Sequence, residues 1–300
     1  MGIFLQKLLA KIVFAQKKTD CQKNYLIYNA FMEKRAQKIR LGVIKYLNSK
    51  PLLYGFENGR VSGKFELFYG SPSECAEMLK KGEVDLALLP SIEYPKNSRY
   101  RIIDKVAIVS RGPVASVVLV YKNKLEDIKS ISLDMNSRTS IALLKILCRE
   151  LYNISPDFVD MEPNIEKMMK KGDAALVIGD NALYLENNGY HMRDLGADWT
   201  KMTGYPFVYA IWAGTLGKIK TEYLEDFNRS MKDGLLNVDK IAKDYADKNK
   251  KSNYKRNLSY LRENIKFDFG LRAQQGLIEF YRYAEHYKLI DEMPELRFFG

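Results

Sequence analysis

From Arg40 onward, short runs rich in Val, Ile and Leu alternate with amphipathic stretches, and this alternation constrains the fold more than any other feature of the chain. Brief aliphatic runs suit buried strands, while apolar residues spaced three and four apart suit one face of a helix. Strands and helices in alternation give an α/β layer structure. Leu41 to Ile44 reads as the first strand. Ser71-Pro72-Ser73-Glu74 has the form of a capping box with Pro at the first helical position, and the helix it opens runs through Cys75, Met78 and Leu79 to a stop at Gly82. Further strands are expected at Val84 to Leu89 (ended by Pro90), Val114 to Tyr121, Ile131 to Leu133, Ala174 to Ile178 and Phe207 to Trp212. Ile141, Leu144, Leu147, Cys148 and Leu151 share one face of a helix that begins just after Asn136-Ser137-Arg138-Thr139-Ser140. Beyond Thr221 the pattern turns almost wholly helical, and the tail reads as a solvated scaffold for the first lobe.

Three hundred residues, 46% of them apolar, suffice for one large or two medium domains. No internal repeat and no low-complexity linker interrupts the chain, so two lobes would be joined by segments crossing between them. The crossings are expected near Val120 to Lys124 and near Thr203 to Phe207. The resulting division is a basic N-terminal extension over 1–39, a discontinuous first lobe from 40–122 and 206–300, and a second lobe over 123–205. A cleft at such a junction is the default ligand site.

The net charge of +11 raises the question of a nucleic-acid partner. Residues 1–40 hold nine basic side chains against Asp20 and Glu33, so seven of the eleven net charges lie in that short segment. The remaining body is close to balance and lacks the strongly basic domain of nucleic-acid binders, so no nucleic-acid partner is expected. A cleft for an anionic small molecule fits such a body equally well. Cys21, Cys75 and Cys148 are odd in number and far apart, which suggests neither a disulfide framework nor a zinc site and points to a reducing, cytoplasmic setting. No apolar run reaches the roughly 18 residues that span a bilayer, so no stable membrane anchor is expected. Phe4 to Phe14 has helix-like apolar spacing interrupted by Lys7 and Lys11, which leaves open a poor export signal, a surface-lying amphipathic helix, or an extension upstream of a start at Met32.

Ser137-Arg138-Thr139-Ser140 carries the strongest chemical signal, because free amides, a helix dipole, three hydroxyls and a guanidinium all favour a bound carboxylate or phosphate. The plainer alternative is an ordinary capped helix start. Asn48 follows the first strand, where open α/β sheets place ligand contacts, although a lone Asn also suits a turn. Ser91 and Glu93, in Ser91-Ile92-Glu93-Tyr94, also follow a strand end, as does Asp180, which could instead cap the next helix. Trp199 and Trp212 read as core. The only histidines, His191 and His286, lie at no predicted strand end, so a His-based triad or His-rich metal site has no seat. No dinucleotide or nucleoside-triphosphate fingerprint occurs. Residue mechanics alone reach a two-lobed, anion-binding α/β protein.

Three strings, Tyr46-Leu47-Asn48-Ser49-Lys50-Pro51-Leu52, Leu88-Leu89-Pro90-Ser91-Ile92-Glu93-Tyr94 and Ser137-Arg138-Thr139-Ser140, together resemble the chorismate dehydratases of the futalosine route to menaquinone. Ile178-Gly179-Asp180-Asn181-Ala182-Leu183, Asp194-Leu195-Gly196, Trp199 and the run Thr203 to Trp212 extend the likeness over roughly residues 40 to 290. The resemblance implies a fold like the type II periplasmic solute-binding proteins, with two α/β lobes over a ligand cleft. It also implies a cytoplasmic hydro-lyase that converts chorismate to 3-[(1-carboxyvinyl)oxy]benzoate and water without a metal or cofactor.

On this reading Ser137, Thr139 and Ser140 hold one carboxylate of chorismate, with Arg138 either joining them or turned away into a salt bridge. Ser71 and Ser73 hold the second carboxylate from across the cleft, Ser91 is a further substrate-binding residue, and Asn48 orients the departing hydroxyl. Tyr205 and Phe207 line the cleft or pack the hinge. The base is Glu93, Asp180 or the substrate's own enolpyruvyl carboxylate. A non-catalytic solute-binding protein for a small carboxylate is the main rival. The sister enzyme that forms dihydroxynaphthoate from a cyclic futalosine would need a histidine base, for which this chain offers no clear candidate.

Overall fold

The computed structural model describes residues 38–61, 64–186 and 189–300, so the expectations for the N-terminal extension, including Cys21 and Met32, lie outside the described residues. Eleven described strands form two mixed sheets. The first contains β1 (Ile39–Ile44), β2 (Phe65–Gly70), β3 (Leu86–Pro90) and β4 (Tyr100–Ser110). The second contains β5 (Val117–Tyr121), β6 (Ser130–Asp134), β7 (Asp157–Met161), β8 (Ala174–Ile178) and β9 (His191–Asp194). The chain then returns to the first sheet as β10 (Phe207–Thr215) and β11 (Ile265–Phe269).

Strand order is β11-β4-β10-β3-β1-β2 in the first sheet and β7-β6-β8-β5-β9 in the second. In each, parallel βαβ pairing at one side gives way to antiparallel pairing where the chain enters or leaves the lobe. β3 and β8 are central and wholly buried, which is why they read in sequence as unbroken aliphatic runs. β7 and β9 are edge strands with exposed positions, and their polar composition hid them.

The division between lobes differs from the expected one. β5 pairs with β8 and β9, so the first crossing is the segment between Ser110 and Val117, not Val120 to Lys124. A valine-rich run announces a strand but not the sheet that will take it; Gly112-Pro113 just upstream is the break that marks the crossing. Gly204 to Pro206 forms the return crossing before β10. Asp194 ties the two together, accepting from the amides of Val114 (3.0 Å) and Ala115 (2.6 Å) while capping the helix Leu195–Thr203 through Ala197 (2.9 Å). Phe207 is fully buried against Trp199, Phe280 and Tyr209, with ring centroids 5.3, 5.0 and 4.8 Å away. Trp199 and Trp212 are both fully buried in the core. Among the described residues no helix is long and apolar enough to cross a membrane.

Candidate functional site

The helix N-termini at Pro72 and at Arg138 both face the junction of the lobes, and they differ in one respect. The helix Pro72–Lys80 is closed by its own capping box: Ser71 Oγ accepts from the Glu74 amide (3.3 Å) and Glu74 Oε2 accepts from the Ser71 amide (2.6 Å). Its serines are therefore occupied, with Ser71 and Ser73 hydroxyls 3.2 Å apart, and Pro72 rather than either serine lines the cavity between the lobes. The helix Arg138–Glu150 has no such closure. Ser137 stands at its N-cap but makes no capping bond, and its hydroxyl donates instead to Ser140 Oγ at 2.7 Å. The first-turn amides of that helix thus keep their positive end for a ligand.

The cavity there has a volume of about 50 Å³ and opens to solvent. Asn48, Ser116, Ser137, Thr139 and Ser140 supply polar groups; Tyr46, Pro90, Ile108, Val114 and Tyr209 supply much of the apolar wall. None of its lining residues is charged. Gly179, at φ +59°, lets the backbone pass against the Tyr46 ring, where a Cβ would lie 3.0 Å from Cε2. The side-chain oxygen of Asn48 is buried without a hydrogen-bond partner, which marks an acceptor available to a ligand.

Charged groups lie on the rims instead, where they join the lobes. Arg138 turns away from the cavity to Glu77 (2.8 Å) and Glu93 (3.2 Å), and Lys96 also pairs with Glu93 (2.7 Å). Asp180 does not cap the helix Gly179–Leu183; its carboxylate accepts from the Leu47 amide at 3.4 Å and from the Tyr245 hydroxyl. Burial pushes the Asp180 carboxyl above its ordinary value, against the pull of those two donors. The Ser73 amide reaches Asn136 O (3.2 Å), and the Ile92 amide reaches Thr139 Oγ1 (3.3 Å). These contacts join the lobes beside the cavity.

Of the residues singled out in the sequence, the structure brings Asn48, Ser137, Thr139 and Ser140 together around the cavity. Arg138, Glu93 and Asp180 form the rims. Ser71 serves as a helix cap and Ser73 meets Ser71 and the Asn136 carbonyl, so neither lines the cavity as the expected ligand contact. Ser91 is likewise structural: its hydroxyl donates to Val208 O (2.7 Å) and its carbonyl accepts from Tyr281 (2.7 Å). Tyr205 and Phe207 pack at the return crossing and do not line the cavity. Ser116, Gly179 and Tyr209 were missed as wall residues, and Tyr245 and Tyr260 as contributors from the helical tail.

A sequence profile described as menaquinone biosynthesis matches residues 39–286. The chain belongs to this menaquinone biosynthesis family. Among relatives of this family member, a chorismate dehydratase of Thermus thermophilus is 30% identical over 191 aligned positions, with 58% of this chain and 68% of that protein covered. A chorismate dehydratase of Campylobacter jejuni is 32% identical over 176 aligned positions, with 56% of this chain and just under two thirds (64%) of that protein covered. Among solved structures, a protein of Archaeoglobus fulgidus superposes with a TM-score of 0.72 at 20% identity, covering 85% of this chain and 99% of that one. The periplasmic aliphatic sulphonate binding protein of Escherichia coli superposes at 0.62 and 13% identity, covering 87% and 96%. The fold is therefore the two-lobed periplasmic-binding-protein type.

Proposed function

We propose that this chain is a chorismate dehydratase, a hydro-lyase forming 3-[(1-carboxyvinyl)oxy]benzoate and water for menaquinone synthesis. The observation that carries the reading is a cavity between the lobes with an uncapped helix N-terminus, an unpartnered Asn48 oxygen and no charged wall residue. The relatives named chorismate dehydratase support it. One carboxylate of chorismate takes the first-turn amides and hydroxyls of Ser137, Thr139 and Ser140, a site built for an anion without a cation.

The reaction breaks the C–H bond at the ring carbon bearing the enolpyruvyl ether and the C–O bond of the neighbouring hydroxyl. The ring becomes aromatic, and the departing hydroxide acquires a proton to leave as water. Glu93 is held by Arg138 and Lys96, and Asp180 by Leu47 and Tyr245, so neither carboxylate is supplied to the cavity. We assign the base to the substrate's own enolpyruvyl carboxylate, folded over the ring in a dry site that strengthens it. Asn48 orients the departing hydroxyl. No metal or cofactor enters this scheme.

The test is incubation of purified full-length chain with chorismate alone, followed by chromatography and mass. A product lighter by one water, lost in folded Asn48→Ala and Ser137→Ala variants, is the expected result. Unchanged chorismate with folded protein would overturn the activity, and calorimetry would then show whether the cleft merely binds a carboxylate. We further infer a cytoplasmic setting, supported by two buried free thiols, Cys75 and Cys148; recovery of the native chain outside the cytoplasmic membrane would refute it.

A further inference from the structure

The C-terminal tail touches a cavity-lining residue through the side chain of Tyr260. Tyr260 opens a π-helical turn, Tyr260–Asn264, that follows the helix Tyr254–Ser259 and leads directly into β11. Such widened turns cost backbone hydrogen-bond geometry and recur at functional sites. This one sets the Tyr260 ring in the interior, 2% exposed, with its hydroxyl donating to Ser116 Oγ at 2.8 Å. Ser116 is itself buried, lines the cavity and lies in the first crossing between the lobes. The residue before it, Ala115, is held at φ +61°, a conformation that a non-glycine residue adopts only where its surroundings enforce it. Asp194 enforces it through the Val114 and Ala115 amides. The Ser116 carbonyl is fixed as well, accepting from the Gly179 amide at 2.7 Å.

A serine hydroxyl rotates freely unless a partner decides its direction. Here Tyr260 donates, which makes Ser116 Oγ an acceptor on the tyrosine side and leaves the serine proton for the other side, where the cavity lies. Burial holds the Tyr260 phenol well above its ordinary pKa, so it stays a donor throughout the physiological range.

We propose that Tyr260 is a positioning residue that aims the Ser116 O–H into the cavity, where it donates a hydrogen bond to the substrate oxygen that leaves. The proposal rests on the dehydratase reading. As the C–O bond breaks, its electron pair moves onto that oxygen, and a donor already oriented there stabilises the growing negative charge without reorganising. Ser116 keeps its proton. The proton taken from the ring carbon by the enolpyruvyl carboxylate is the one that completes the departing water, so atoms and charges balance with no further reactant. Tyr260 touches neither substrate nor product in this scheme and acts chiefly through Ser116, although its hydroxyl also lies within hydrogen-bonding reach of the Asn48 side chain.

The experiment is a double-mutant cycle on the full chain with chorismate as substrate, recording kcat, KM and melting temperature. Removing a donor aimed at developing charge costs about 10²- to 10³-fold in rate, so Ser116→Ala should lower kcat by about 100-fold. Tyr260→Phe, which leaves the ring in place and frees the serine rotor, should lower kcat by roughly tenfold with KM changed less than about threefold. The variant carrying both changes should be at most about threefold slower than Ser116→Ala alone, well short of the product of the two single losses, because a residue that acts chiefly through another adds little once that other is gone. A structural role for Tyr260 would instead lower kcat additively and in step with melting temperature, and that result would overturn the proposal, as would a Tyr260→Phe enzyme with wild-type kcat. Should Tyr260→Phe not fold, 3-fluorotyrosine at position 260 keeps the shape and strengthens the donor: kcat should rise, and an unchanged kcat would count against the role. Inactive wild-type protein would reveal failure of the dehydratase reading itself before any variant was compared.

Discussion

Gly179 offers a quantitative test of the cavity wall. Its φ of +59° disfavours any residue with a Cβ, and that Cβ would meet the Tyr46 ring at 3.0, 3.1 and 3.2 Å from Cε2, Cδ2 and Cζ. Gly82 has a similar φ of +72° but nothing within 4 Å of its Cβ position. The pair separates backbone strain from collision. Gly82→Ala should cost only the left-handed conformation, about 1 to 2 kcal/mol. Gly179→Ala adds about 1 to 3 kcal/mol for overpacking a well-filled wall. A total near 3 kcal/mol corresponds to a melting temperature lowered by roughly 6 to 12 °C for a body of this size. The collision also has a direction: the Tyr46 ring must give by a few tenths of an ångström, and Tyr46 is part of the cavity wall. Differential scanning fluorimetry of both variants, with KM for chorismate, measures both effects. Gly179→Ala should melt lower than Gly82→Ala and alone show a raised KM. Equal melting temperatures and unchanged KM in the two variants would refute the reasoning, because the ring would then be loosely held and the wall soft.

Arg138→Met removes the ion pairs to Glu77 and Glu93 that join the rims, and as these are partly solvated it should raise KM by only about two- to fivefold with kcat nearly unchanged; a hundredfold loss of kcat would instead mean that the guanidinium reaches the substrate. Glu93→Gln should keep kcat within about tenfold, whereas loss of a true general base costs about 10²- to 10⁴-fold, so steady-state kinetics decides between protein and substrate as the base. Burial raises the Asp180 carboxyl above its ordinary 3.8, so the folded protein holds that proton more tightly than the unfolded chain does. Its contribution to stability is fully present below about pH 4 and is lost as pH rises through the folded-state value. Asp180→Asn carries no such proton, so its melting temperature minus that of wild type should grow from about pH 4 upward; a difference independent of pH would show that burial does not strain the carboxylate.

The parts of the site visible in the sequence are those made by local backbone rules. The capping box at Ser71 to Glu74 and the strand at Ala174 to Ile178 have the residues and bounds expected of them. The helix at Ser137 to Ser140 begins slightly earlier than expected, at Arg138, because Ser137 already stands at the N-cap. Its hydroxyls, singled out as a helix start, and Asn48, singled out as following a strand, gather at the cavity. The capping box also explains one error: the pattern that announces Ser71 and Ser73 is the pattern that consumes them. Contacts distant in sequence left no trace. Tyr245 reaches Asp180 across 65 residues and Tyr260 reaches Ser116 across 144, from a tail whose helical period says only that it packs. Nor does a lone edge strand such as β11 stand out within a helical region, since its pairing with β4 is settled by a partner more than 150 residues upstream.

The position of β10 between β3 and β4 has a consequence for how the chain is made. On the ribosome, β1 to β4 emerge first, yet the hydrogen bonds that unite them into one sheet wait for residues 207–215. The second sheet is built from the uninterrupted segment 117–194 and can close while the rest is still being translated. The N-terminal half must therefore remain open, with β3 and β4 unjoined at their facing edges, through the synthesis of about a hundred further residues. At typical elongation rates of about 5 to 20 residues per second, this interval lasts several seconds, the period in which a holding chaperone would have most effect on yield.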